Sequence, residues 1–134
     1  GPKRTARLPG EMILGVTVPV LHGWQGYSKV GVRNAMVIAT ASAALVADET
    51  SSSVRLALGS VGPVILRCPE AEALAGAQVD FAARSVSDAV VDSFAALARE
   101  ASRPIDDHRS SAAYRRHAVG VLAARLLRRA FPNG

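Results

Sequence analysis

The chain of 134 residues holds one cysteine, Cys68. A lone cysteine closes no intramolecular disulfide, so nothing in the sequence points to an oxidising compartment. Cys68 precedes Pro69 in an apolar segment with no adjacent histidine to activate a thiol, and it reads as a small packing residue. No run of about 18 uncharged apolar residues is present, so no membrane span is expected. The longest apolar stretch, Ala35 to Ala47, is interrupted by Thr40 and Ser42 and reads as a buried element. No secretory signal opens the chain, and a cytoplasmic location is expected. Gly1-Pro2 resembles a protease-cleavage scar, so residues 1–9 are read as a tag remnant or linker and residues 10–134 as one domain.

Acidic residues are missing from a whole region. Residues 109–129 contain Arg109, Arg115, Arg116, Arg125, Arg128 and Arg129 and no Asp or Glu, although the net charge of the chain is only +5. Basic patches bind nucleic acid or acidic partners. This one lacks interleaved aromatics and any nucleic-acid module, so it reads as the exposed side of an amphipathic helix, and no nucleic-acid partner is expected.

Recognisable catalytic signatures are absent too. His22, His108 and His117 fall in a turn, a loop and a helix, with no second His or Cys at metal-ligand spacing. Asp106-Asp107-His108 reads as loop and helix-cap chemistry. Ser28-Lys29 is a weak hint of a serine–lysine pair, but neighbours on a strand point to opposite faces. Gly59 and Gly62 form neither a dinucleotide fingerprint nor a phosphate loop. Asp88 and Asp92, one helical turn apart, read as solvated. No catalytic residue and no metal site is assigned.

What is present is patterning. Of all residues, 49% are apolar, which argues against disorder. Met12 to Pro19 is β-branched and nearly continuous in apolar character, a strand stopped by Pro19. Trp24 to Val30 alternates, with Trp24, Gly26, Ser28 and Val30 on one face and Gln25, Tyr27 and Lys29 on the other. Residues 35–47 are ambiguous between a helix, favoured by alanine, and the first arm of a hairpin. The hairpin reading uses the polar turn Asp48 to Ser53 and the alternating partner Val54 to Gly59. Val64 to Leu66 reads as a short strand. Pro69 opens a short acidic helix through Leu74 that Gly76 stops. Ser85 or Ser87 caps the next helix, which ends near Ser102 ahead of Pro104. Ser110 or Ser111 opens the last helix, with Val119, Leu122, Ala123, Leu126, Leu127 and Ala130 along one face. Strands first and helices last imply an α+β domain.

Four stretches, in order, resemble the C-terminal domain of the flavin subunit of molybdenum hydroxylases, the xanthine dehydrogenase and CO dehydrogenase flavoprotein family. Gly10 to Pro19 is similar to the segment leading into that domain. Tyr27 to Ala39 resembles the K-x-G-x-R-x-A-x-x-I-A motif. Val54 to Pro63, with Arg67, Glu70, Glu72 and Leu74 after it, is similar to the R-x-A-L-G-x-V-x-P segment and the acidic helix that follows. Asp106 to Arg116 resembles the D-x-R-x-S-x-x-Y-R-R entry to the last helix.

The resemblance implies an α+β fold, an antiparallel sheet of about four strands with about three helices on one face. It also implies that Val37 to Ala47 is a long strand paired with Val54 to Leu58. The implied function is electron transfer from iron–sulfur clusters through FAD to an acceptor, with most of the flavin held by a larger N-terminal domain. Lys29, and Ile13 or Leu14 of the leading strand, are the residues that the resemblance places near the flavin. An ammonium there would stabilise the negative charge of the reduced ring. The implied partners are that N-terminal FAD-binding domain and the iron–sulfur and molybdenum subunits, with a homo-oligomer also open. The alternative reading is a stand-alone small-molecule-binding or cofactor-free catalytic protein of cyclase or isomerase type that reuses the fold. A third is a structural domain that docks through the arginine-rich helix.

Overall fold

The computed structural model describes residue 1 and residues 3–134. Four antiparallel strands run in sequence order across one sheet: β1 (Gly23–Val30), β2 (Ala41–Asp48), β3 (Ser53–Gly59) and the short β4 (Leu66–Arg67). Three helices follow, α1 (Pro69–Gln78), α2 (Asp88–Ala101) and α3 (Ala112–Ala130). α3 lies on β1 and β2, α1 lies on β3, and α2 bridges the two helices. The expected α+β class, with helices on one face of the sheet, is what the chain adopts.

The alanine-rich stretch is a strand because its environment outweighs its propensity. β2 is hydrogen-bonded on both edges, with Leu45 opposite Gly26 on one side and Leu56 on the other. Its inward residues Ala41, Ala43, Leu45 and Ala47 are buried, and three of those four are alanines beneath the α3 layer. Small side chains let a helix approach the sheet closely. Alanine's helical advantage of a few tenths of a kcal/mol per residue is minor beside two complete ladders. From β3, Val54, Leu56 and Leu58 point into the same layer, against Phe94 and Val91 of α2 and the stripe Val119, Leu122, Ala123, Leu126 and Leu127 of α3.

The turns and caps follow their chemistry. Between β2 and β3, the Asp48 carboxylate accepts from the Thr50 amide (3.0 Å) and the Ser51 hydroxyl (2.7 Å). The Ser51 bond is the main cause of a lowered Asp48 pKa. Ser87 and Ser111 cap α2 and α3 by accepting from Val90 and Tyr114 amides. Ser102 ends α2.

Four expectations require correction. Met12 to Pro19 is not a strand of this sheet. Met12, Ile13, Leu14, Val16, Val18 and Val20 make the run nearly continuously apolar, yet each is at least 74% exposed. Among the described residues no strand offers the run a ladder. β2 begins at Ala41 rather than Val37, because β1 ends at Val30 and supplies no pairing partner further back. Residues 31–40 instead form the connection, closed by the Thr40 amide on the Val30 carbonyl. α1 passes through Gly76 to Gln78, where the flanking alanines carry the helix across the glycine. β4 is Leu66–Arg67, shifted toward the register with Leu58 and Ala57, and leaves Val64 and Ile65 exposed.

Candidate functional site

Among the described residues no helix covers the outer face of the sheet. The strand registers set out its rows. Lys29, Ser42 and Gly59 lie side by side, as do Tyr27, Ala44, Ala57 and Arg67, and then Gln25, Val46 and Arg55. The floor is therefore Ser42, Ala44, Ala57 and Gly59, all small, and the rim carries Tyr27, Lys29, Arg55 and Arg67. Gly59 is required by the close approach of its neighbour, since a Cβ there would fall 2.5 Å from Ser42 Oγ. On the opposite face the Trp24 ring lies over Gly26, where a Cβ would meet ring carbons at 2.1 Å.

Lys29 stands at the end of β1, on the outer face. Its Nζ donates to the Val37 carbonyl at 2.8 Å and so ties the 31–40 connection to the sheet. Ile13 and Leu14 are 75% and 89% exposed in the extended leader. Among the described residues no hydrogen bond joins that leader to Lys29, and neither Ile13 nor Leu14 packs on the core.

The residue that sequence reasoning misread is Arg115. Grouped there with exposed arginines, it is 6% exposed in the structure. Its Nη1 donates to the carbonyls of Thr40 and Ser60, both at 2.9 Å, and its Nη2 to Asp107 Oδ1 at 2.7 Å. It thus joins the entry to β2, the loop after β3 and the loop before α3. The Asp107 carboxyl is held down to about 2, first by the Arg109 amide and then by the Arg115 guanidinium and the Ser110 amide. Asp106 caps the start of α3 by accepting from the Ala112 amide at 2.6 Å. The signal was present in the sequence. Position 115 lies one helical turn before Val119 and extends the apolar stripe toward the helix start.

Two further polar groups are structural. Burial opposes ionisation of Glu72, but a two-point contact with Arg67 (2.7 and 2.6 Å) and the Leu56 amide (3.0 Å) outweigh it and lower its pKa. The Cys68 thiol is buried, and desolvation pushes it up to about 11, which suits packing rather than chemistry. Among the described residues no group of three His, Cys, Asp or Glu side chains is placed to hold a metal ion. No described helix is long and apolar enough to cross a membrane.

Comparison with known proteins gives a consistent relationship. Residues 27–130 match the model of the CO dehydrogenase flavoprotein C-terminal domain. The chain is 30% identical over 131 residues to the glyceraldehyde dehydrogenase medium chain of Sulfolobus acidocaldarius, covering 96% of this chain and 44% of that one. Its fold superposes on a chain of the CO dehydrogenase of Oligotropha carboxidovorans with a TM-score of 0.67 and 27% identity, covering 82% of this chain and 37% of that one. A chain of the Hydrogenophaga pseudoflava carbon monoxide dehydrogenase gives 0.69 and 25%, with coverages of 87% and 40%. The chain therefore spans less than half the length of each of these relatives.

Proposed function

Because the chain belongs to the CO dehydrogenase flavoprotein C-terminal domain family, we propose that it works as the C-terminal domain of the FAD-containing subunit of a molybdenum hydroxylase. The family match over residues 27–130 carries this reading. Two structural features support it. The open face has a flat floor of small residues with an ammonium at its rim, which fits one wall of a flavin site and not an enclosing pocket. The leader from Met12 to Val20 has the β-branched, apolar composition of a strand and exposes its apolar side chains, as expected of a segment that pairs with another domain.

When bound, the flavin would take electrons arriving from iron–sulfur clusters and pass them to an acceptor. The part of this chain is to close the site. Lys29 would hold a fixed positive charge beside the ring, where it favours the negatively charged reduced form. The Val37 carbonyl fixes the direction of that ammonium. Ile13 and Leu14 would supply apolar contact from the leader, once the larger N-terminal domain orders it. The partners are that domain and the iron–sulfur and molybdenum subunits.

The test uses the complete subunit. Lys29→Ala is expected to slow flavin reduction in single-turnover absorbance measurements on the order of tenfold. That is less than the roughly 100-fold loss of a buried oxyanion donor, because Lys29 sits at an exposed rim. Lys29→Arg should recover part of the rate. Thermal unfolding should be unchanged, and loss of folding with unchanged redox behaviour would sink the assignment. The 134-residue chain alone, mixed with FAD and passed through a desalting column, should emerge colourless. Tight retention of flavin would contradict the division of labour proposed here.

A further inference from the structure

The helix layer, on the far side of the sheet from the open face, gathers arginines that have no acidic partner. α2 and α3 run antiparallel. Arg128 meets Asp88 at 2.6 Å, and Gly120 lies against Ala95 and Arg99. That register brings Arg116, one turn before Gly120, level with Arg103, just beyond the end of α2. A groove of about 640 Å³ opens there. Arg99, Arg103 and Arg116 line it, with Ala96, Glu100 and Ser102.

The seat of Arg99 is built into α3. Gly120 is buried in the middle of that helix, where glycine weakens helical structure. A Cβ there would fall 2.7 Å from Arg99 Cγ, 2.9 Å from its Nη1 and 3.1 Å from the Ala95 carbonyl oxygen. The missing side chain therefore lets Arg99 cross from α2 and lie on α3. Arg99 is half-buried and lines the groove, so an anion from solvent can reach it. Arg116 is exposed, and Arg103 donates to the main-chain carbonyls of Glu100 and Ser102. Among the described residues none of the three arginines forms an ion pair, with Glu100 or with any other carboxylate. From Arg109 to Arg129 the chain has no acid to offer them.

Charge and shape narrow the ligand. Three guanidiniums against the single carboxylate of Glu100 leave the groove a formal charge of +2. Like charges gathered in one concave surface raise its potential and recruit an anion. A dianion matches that charge. A tetrahedral phosphoryl group presents oxygens in several directions, so guanidiniums from α2, α3 and the loop after α2 can reach it together. A carboxylate offers two oxygens and one negative charge. Ala96 is the only apolar side chain in the lining, so the groove has no wall that selects an organic body.

We propose that this groove binds a phosphoryl dianion, as free phosphate or as the end of a small phosphate monoester, between Arg99, Arg103 and Arg116. The site is separated from the open face by the sheet and does not rest on the flavin reading of that face.

Titration of the isotope-labelled chain at pH 7.5 and constant ionic strength tests the site, with inorganic phosphate and glycerol 3-phosphate as probes. Amide and arginine side-chain chemical shifts are followed. Saturating shifts are expected at Ser102 and at the side chains of Arg99, Arg103 and Arg116, with a Kd of about 1 mM. Equal affinity for the two probes would point to free phosphate, and tighter binding of the ester to a monoester; both support the site. Arg116→Gln, at an exposed position that leaves folding intact, and Arg99→Gln should each weaken binding about tenfold. Arg125→Gln removes an exposed charge from α3 outside the groove and should leave the affinity unchanged. Acetate should bind at least about tenfold more weakly than phosphate. Shifts that do not saturate, equal affinity for acetate, or the same affinity in Arg116→Gln as in Arg125→Gln would overturn the proposal.

Discussion

Replacing Arg115 with methionine separates a structural arginine from a surface one. Methionine keeps the apolar stem in the α3 stripe, so packing changes little. What disappears is the donor set. The Thr40 carbonyl belongs to a residue 4% exposed and loses its 2.9 Å partner, at a cost of about 1–3 kcal/mol for an unsatisfied buried acceptor. Ser60 is exposed and its carbonyl can turn to water, so its loss is at most about 1 kcal/mol. Asp107 keeps the Arg109 and Ser110 amides. The total is about 1–4 kcal/mol, a sizeable share of the roughly 5–15 kcal/mol that holds a domain together. For a chain of this length it lowers Tm by roughly 10 °C. Urea unfolding followed by far-ultraviolet circular dichroism measures it directly. Arg125→Met, on the exposed side of the same helix, should stay within about 0.5 kcal/mol of the parent. If Arg115→Met is equally harmless, the three-way clamp does not hold the sheet to α3 and the reasoning fails.

Other outcomes follow from the same structure. Asp107 has a folded pKa near 2 against an unfolded value near 4, so its stabilising contribution is complete above about pH 4 and is lost as pH falls toward 2. The urea midpoint should drop across that window, and Asp107→Asn should flatten the drop. Cys68, with its thiol raised to about 11, should react with a disulfide reagent at pH 8 at least about 100-fold more slowly in the folded chain than in urea. Equal rates would show that the thiol is not shielded. Gly26→Ala should push the Trp24 ring off its seat, cost about 1–2 kcal/mol, and shift the emission of this sole tryptophan to longer wavelength. An unmoved spectrum would mean that the ring does not rest on Gly26.

Much of the fold was legible because it rests on local chemistry. Serine caps at 87 and 111, the stop at Ser102 ahead of Pro104, the polar turn at 48–53 and the apolar stripe of α3 are each decided within a few residues. The two faces of β1 were legible for the same reason, since alternation alone puts Trp24 and Val30 on one side and Lys29 on the other. The candidate site was legible only by resemblance. Nothing in the spacing of Lys29, Ile13 and Leu14 draws them together.

The amino-acid sequence by itself determined the class of fold, the limits of the last two helices and the family, because periodicity, caps and motif order are properties of neighbours along the chain. Tertiary structure decided the rest. Ala41 to Asp48 became a strand through ladders on both edges, which no local propensity encodes. Met12 to Val20, a strand by composition, meets no strand edge among the described residues and stays exposed. Arg115, one arginine among six in a run without acids, became the buried tie between three segments. Its partners Thr40 and Ser60 are 75 and 55 residues away in sequence and meet it only once the sheet and helices pack.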